Sequence, residues 1–243
     1  MPSPWAATER TLETLRSGEI DVLGLLPYSS NYVFLARLQH GDHDVLAVYK
    51  PQRGERPLWD FPEGTLAARE VGAFVVSQAA GWELVPPTVL RDDAPLGPGS
   101  FQEFIEHDPE RHFFTLAEER FDEFKAFAAL DTVINNADRK GGHVLEDAER
   151  RLWGVDHGLS FNLAPKLRTV IWAFAAEPID APNRQLIESL IAGFSTQQGW
   201  GAELGELLSP AEARATFERA AGLLQEGIFP CPETSHHLPW PLV

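Results

Sequence analysis

Four charged side chains, Lys50, Glu70, Asp138 and Asp156, stand where the surrounding pattern is apolar, so chemistry is the first thing to ask of them. Lys50 ends the run Val45-Leu46-Ala47-Val48-Tyr49, hydrophobic on both alternating faces, the pattern of a strand covered on both sides. An ammonium placed there needs a partner. Glu70 supplies one. It lies between Leu66 and Phe74 at i, i+4, i+8 spacing, with Val71 and Val75 beside it, on the stripe expected to face a sheet. A structural salt bridge or a pair of exposed edge residues would explain the same two residues. The loop Asn135-Asn136-Ala137-Asp138-Arg139-Lys140-Gly141-Gly142-His143 is densely polar between hydrophobic elements, a common way to display donors and a carboxylate from a rigid base. Asp156 closes an apolar strand just before His157-Gly158, where a carboxylate suits a metal or simply makes an Asx turn.

Order along the chain sharpens the reading. A polar turn, Ser29-Ser30-Asn31, comes first, then the strand lysine, the helix glutamate, the loop Asp138-Arg139 and the strand-end Asp156. Phosphoryl transfer uses such parts: a phosphate-covering turn, a cation fixed by a carboxylate, a group that orients the acceptor, and a metal carboxylate.

The elements that must position these residues divide the chain into a sheet-rich first part and a helical second part. Ala6 to Arg16 is charged and helix-like. Strands are expected over 32–38 and 45–50, joined by the polar 39–44 hairpin turn, and over 86–90 and 100–106, split by the turn 92–99. A helix is expected over about 64–80, closed by Gly81. Periodicity then predicts a long helix from Leu116 to about Asn135, and a strand pair over 144–145 and 152–155. Helices follow near 183–194 and 210–225, the latter capped by Ser209. The expected fold is α+β and two-lobed, a single domain over 1–243. Its N-lobe, about 15–106, is an antiparallel sheet plus the Glu70 helix; its C-lobe, about 107–230, is mainly helical, with a Pro-rich tail over 231–243.

Composition narrows the partners. The chain has 243 residues, 44% of them hydrophobic, and a net charge of −16, a field that repels nucleic acid and anionic membranes. A nucleotide is anionic too, and needs local positive charge or a metal. One cysteine, Cys231, excludes an intrachain disulfide. No apolar run approaches the ~20 residues of a membrane helix, and the N-terminal stretch lacks an apolar signal core, so the expectation is a soluble cytoplasmic protein.

Five segments resemble the phosphatidylinositol 3-/4-kinase-like branch of the protein-kinase superfamily and, more distantly, the HipA-type kinases. Ala47-Val48-Tyr49-Lys50-Pro51 resembles the nucleotide-lysine strand, and Arg69-Glu70-Val71-Gly72-Ala73-Phe74 its glutamate helix. Phe101-Gln102-Glu103-Phe104-Ile105 falls at the hinge, Asp131 to Arg139 resembles the catalytic loop, and Val155-Asp156-His157-Gly158-Leu159-Ser160-Phe161 the metal-binding segment.

The resemblance implies that Ser29, Ser30 and Asn31 cover the phosphates, that Lys50 grips them under the hold of Glu70, and that Glu103 and Ile105 meet the adenine. It also implies catalytic Asp138 and Arg139, and Mg²⁺ or Mn²⁺ on Asp156. Two positions depart from the family pattern. His143 stands where the second metal ligand is usually Asn, which suits Mn²⁺ better than Mg²⁺ or marks a weakened enzyme. Lys140 replaces a His and can pair with the transferred phosphate. The implied activity is ATP-dependent transfer of the γ-phosphate to a hydroxyl of an unidentified protein, lipid or small molecule. A nucleotide-binding pseudokinase, an AMP-transferring regulator and an acidic interaction domain without a ligand are the alternatives. Lys166 and Arg168, after the Asp156 loop, could meet an anionic group or lie solvated. His40/His43 and His107/His112 lack a third metal ligand and read as surface turns.

Overall fold

A computed structural model of the chain describes residues 4–26, 32–195, 197–232 and 236–243. They form two compact units, one of residues 1–71 and 86–105 and the other of 72–85 and 106–243.

The first unit is an antiparallel sheet with a helix on one face. The helix is α1 (Pro4–Ser17); the strands are β1 (Glu19–Leu25), β2 (Phe34–His40), β3 (His43–Pro51), β4 (Thr88–Arg91) and β5 (Gly99–Glu103), in the order β1-β2-β3-β5-β4. β2 and β3 form the expected hairpin, with Gly41 (φ 62°) at its tight turn and His40 opposite His43. Ala36, Leu38, Val45, Ala47, Tyr49 and Phe101 are buried with Leu15 of α1, and the Tyr49 and Phe101 rings stack at 4.3 Å.

The two faces of β3 are covered unequally. Val45, Ala47 and Tyr49 are buried, whereas Leu46 is exposed and Val48 and Lys50 are half-buried. The cover expected on both faces is complete only on the side where α1 packs; on the other, Leu46 is exposed while Lys50 is partly buried and paired. β1 is not among the expected strands, although Ile20 and Val22 alternate with Glu19 and Asp21. α2 (Leu66–Ala80) contributes its first turns to this unit and the remainder to the second. Ala67 to Ser77 is buried without a break, so α2 is enclosed all round instead of amphipathic.

The second unit holds α3 (Phe113–Leu116), α4 (Phe124–Ile134), the hairpin β6 (Val144–Glu146) and β7 (Leu152–Gly154), α5 (Ala181–Ala192), α6 (Trp200–Leu207) and α7 (Pro210–Glu226). The single helix expected from Leu116 to Asn135 is instead broken at 117–123. Arg120 leaves helical geometry (φ −121°, ψ 26°), and its guanidinium reaches both Glu123 and Glu146. Glu146 of β6 also pairs with Arg111, which, with its neighbouring arginines, holds the carboxylate below its usual pKa.

Helices α5 and α7 match expectation. Ser209 caps α7, accepting from the Glu212 N–H, while the Glu212 carboxylate accepts in return from the Ser209 N–H at 3.0 Å. Among the described residues no helix is long and apolar enough to cross a membrane.

Replacing Ser209 by Ala should lower the unfolding free energy of the chain by about 1 kcal/mol, read as a lower urea midpoint at unchanged m-value.

Candidate active site

The Lys50 ammonium donates to a carboxylate oxygen of Glu70. Glu70 is 3% exposed, so the first turns of α2 bring a buried anion to the open face of β3. Two residues beside it went unsingled in the sequence. Arg69 is also buried, donating to the Thr65 hydroxyl at 3.1 Å and lying over the Phe61 ring. Glu55 accepts from the Ala67 N–H at 3.0 Å, tying the loop after β3 to the start of α2. Glu103 ends β5 opposite Ala47, its N–H bonded to the Pro87 carbonyl, and Ile105 follows half-buried. Ser29, Ser30 and Asn31 lie outside the described residues.

In the second unit the loop 135–143 is built on Asp131, near the end of α4. Asp131 and Arg139 are both wholly buried and paired, with Arg139 Nε 3.0 and 3.1 Å from the two carboxylate oxygens. The same guanidinium donates to the carbonyls of His143 and Val155 and lies 2.6 Å from His157 Nε2. Asn136 bonds Asp131 at 2.9 Å through its side-chain amide, and its Oδ1 accepts from the Asp138 N–H at 3.0 Å. Arg139 therefore has no exposed atom with which to touch a substrate.

Asp138 is turned outward by that frame. Burial raises its pKa, opposed chiefly by the Lys140 ammonium 3.0 Å away; the Asp156 charge raises it further and Arg168 lowers it. Asp156 takes a left-handed backbone (φ 60°) at the exit of β7, and its carboxylate is 51% exposed. His143 Nε2 lies 3.2 Å from Asp156 Oδ2, and the His143 carbonyl accepts from the Val155 N–H. Asp138, Lys140, His143 and Asp156 are thus gathered in one unit around one buried ion pair.

Among the described residues no group of three or more His, Cys, Asp or Glu could hold a metal ion. His143 and Asp156 offer two ligands. Their separation fits adjacent positions around an ion with bonds of about 2.1 Å, which lie about 3 Å apart, and phosphate oxygens or water would supply the rest.

No protein-family model matches the chain. Protein Rv2133c of Mycobacterium tuberculosis (strain H37Rv) is 36% identical over 266 aligned positions, spanning 93% of each chain. The chain belongs to the Rv2133c family. Among solved structures, the Golgi casein kinase with Mn/ADP bound matches 99% of this Rv2133c-family chain and 81% of its own, with a TM-score of 0.60 at 14% identity. The Helicobacter pylori proinflammatory kinase CtkA matches 88% and 94%, with a TM-score of 0.51 at 11% identity. The fold of this chain is protein-kinase-like.

Arg139→Met, which strands Asp131 in the interior, should cost about 3–5 kcal/mol in chemical denaturation, whereas Lys140→Met should cost under about 1 kcal/mol.

Proposed function

We propose that the chain is an ATP-dependent phosphotransferase that moves the γ-phosphate of ATP to a hydroxyl. The observation that carries this reading is the grouping of Asp138, Lys140, His143 and Asp156 on the Arg139–Asp131 frame, within a kinase-like fold. A structural neighbour binds Mn and ADP, which favours a nucleotide with a divalent metal here too. Lys50, oriented by Glu70, grips phosphate oxygens, and Ser29, Ser30 and Asn31 cover them; Glu103 and Ile105 lie along the base.

Asp156 and His143 hold the metal, whose positive charge offsets both the triphosphate and the acidic chain. The acceptor oxygen forms its bond to the γ-phosphorus as the bond to the bridging oxygen of ADP breaks. The acceptor's proton passes to the Asp138 carboxylate, and Lys140 stands beside the phosphoryl group in transit. The likeness to phosphatidylinositol kinases is read at the level of these roles and extends to no lipid acceptor.

An imidazole ligand favours Mn²⁺ over Mg²⁺, so Mn²⁺ should support the larger nucleotide effect. ATP with Mn²⁺ should raise the melting temperature, and Asp156→Ala should abolish that rise. Asp138→Asn should keep the shift but lower ADP formation by about a hundredfold or more. Nucleotide binding without ADP formation under any metal would establish the pseudokinase instead, and a mass gain of AMP on protein would establish AMP transfer. A wild-type chain with no shift under either metal overturns the reading.

The acid side of the pH–rate profile should also be informative. Asp138 must be ionised to accept a proton and burial raises its pKa, so activity should fall with decreasing pH through a value above the usual 3.8. Lys140 favours the ionised form. Lys140→Ala should therefore move that limb to higher pH, and Lys140→Arg should restore it.

A further inference from the structure

The segment that passes the Asp138 loop carries a guanidinium that the proposed reaction does not use. Residues 166–170 are zipped along 135–139. The Asn135 side chain accepts from the Lys166 N–H at 2.9 Å, the Asn136 carbonyl from the Arg168 N–H at 2.9 Å, and the Arg168 carbonyl from the Arg139 N–H at 3.0 Å. The Arg139 carbonyl accepts in turn from the Val170 N–H, and Arg139 and Thr169 form a parallel bridge. Thr169 turns inward, 2% exposed, with its hydroxyl 3.4 Å from Asp131. In an extended segment neighbours point to opposite sides, so Arg168 projects away from the core, half-buried and close enough for its charge to act on Asp138. Among the described residues its guanidinium has no hydrogen-bond or ion-pair partner.

A guanidinium presents five N–H donors in a fixed fork suited to carboxylate and phosphate oxygens. Held by the backbone beside the loop that carries Asp138, it can read an anion on the acceptor whose hydroxyl Asp138 deprotonates. We infer that Arg168 determines acceptor specificity, and that the acceptor is a small alcohol carrying a carboxylate or phosphate near the hydroxyl that is phosphorylated. The inference rests on the phosphotransfer reading above.

Small size follows from two observations. The net charge of −16 repels a polyanionic acceptor in proportion to its charge, while a small mono- or dianion loses little against a local cation. The acceptor side is also flanked by residues 236–243. The His237 carbonyl accepts from the Thr169 N–H and the Trp172 indole, both at 3.1 Å, and the Leu242 carbonyl accepts from the Gly141 N–H at 2.7 Å. That segment therefore runs alongside both the Arg168 segment and the Asp138 loop. A bulky acceptor would have to displace it.

ADP formation from ATP and Mn²⁺ would be followed with matched alcohols: glycerol, glycerol 3-phosphate and glycerate, together with a serine peptide flanked by glutamates. The expected result is that one or both small anions stimulate ADP formation at least about tenfold more, per KM, than glycerol, with the larger response naming the preferred anion. Arg168→Met should collapse that ratio toward one, and Arg168→Lys should recover part of it. Equal response to glycerol and both anions, a ratio unchanged in Arg168→Met, or preference for the acidic peptide would each overturn the inference. Those outcomes arise with the ATP-induced thermal shift of the wild-type chain intact. Its absence would overturn the phosphotransfer reading, and this inference with it.

Discussion

The candidate site depends on one buried ion pair, Asp131 with Arg139. Neither side chain has exposed surface: the Asp131 carboxylate accepts from the side chains of Arg139, Asn136 and Thr169, and Arg139 adds two backbone carbonyls to its bonds with Asp131. Arg139 ties the end of its own loop, at the His143 carbonyl, to the exit of β7, at the Val155 carbonyl. Asp131 holds Asn136, which in turn orients the Asp138 backbone. A pair replaced by apolar residues of equal volume could leave the interior as stable. It could not fix a loop and a strand end on either side of one carboxylate, and that geometric task accounts for charge placed where burial is complete.

Electrostatics follow from the same arrangement. The chain is strongly acidic, and only four of its 243 residues are lysines. Two of the four, Lys50 and Lys140, are paired with acidic residues of the candidate site. Lysine is scarce in this protein, and two of its four lysines stand against Asp138 and Glu70. Lys140 and Arg168 counter the burial that would otherwise keep Asp138 protonated to still higher pH. His143 Nε2 and the Asp156 carboxylate, 3.2 Å apart, add an imidazole to the same cluster.

Much of this was legible in the chain. Alternation marked β2 and β3, Ser209 marked the start of α7, and an apolar run ending in lysine, followed by a helix with a misplaced glutamate, marked the Lys50–Glu70 pair. Other features were not. β1 is exposed along much of its length and carries only a weak apolar face, so its alternation is faint. The break before α4 comes from Arg120 being drawn to Glu146, a residue 26 positions away that no local pattern contains. Arg69 is buried because an aromatic ring and a hydroxyl happen to receive it, which helical spacing alone does not reveal.

By itself the sequence determined the element types and the identity of the charged residues that have no reason to be buried except each other. Local propensity and period depend on neighbours in the chain, and those are written in it. Tertiary structure decided the role of each charge. Arg139 and Arg168 are both arginines near the same aspartate, yet one is enclosed by Asp131 and three carbonyl or imidazole partners while the other is turned toward solvent beside Asp138. That difference arises from the pairing of residues 135–139 with 166–170, a contact between segments some thirty residues apart, and desolvation acts only once such a contact exists.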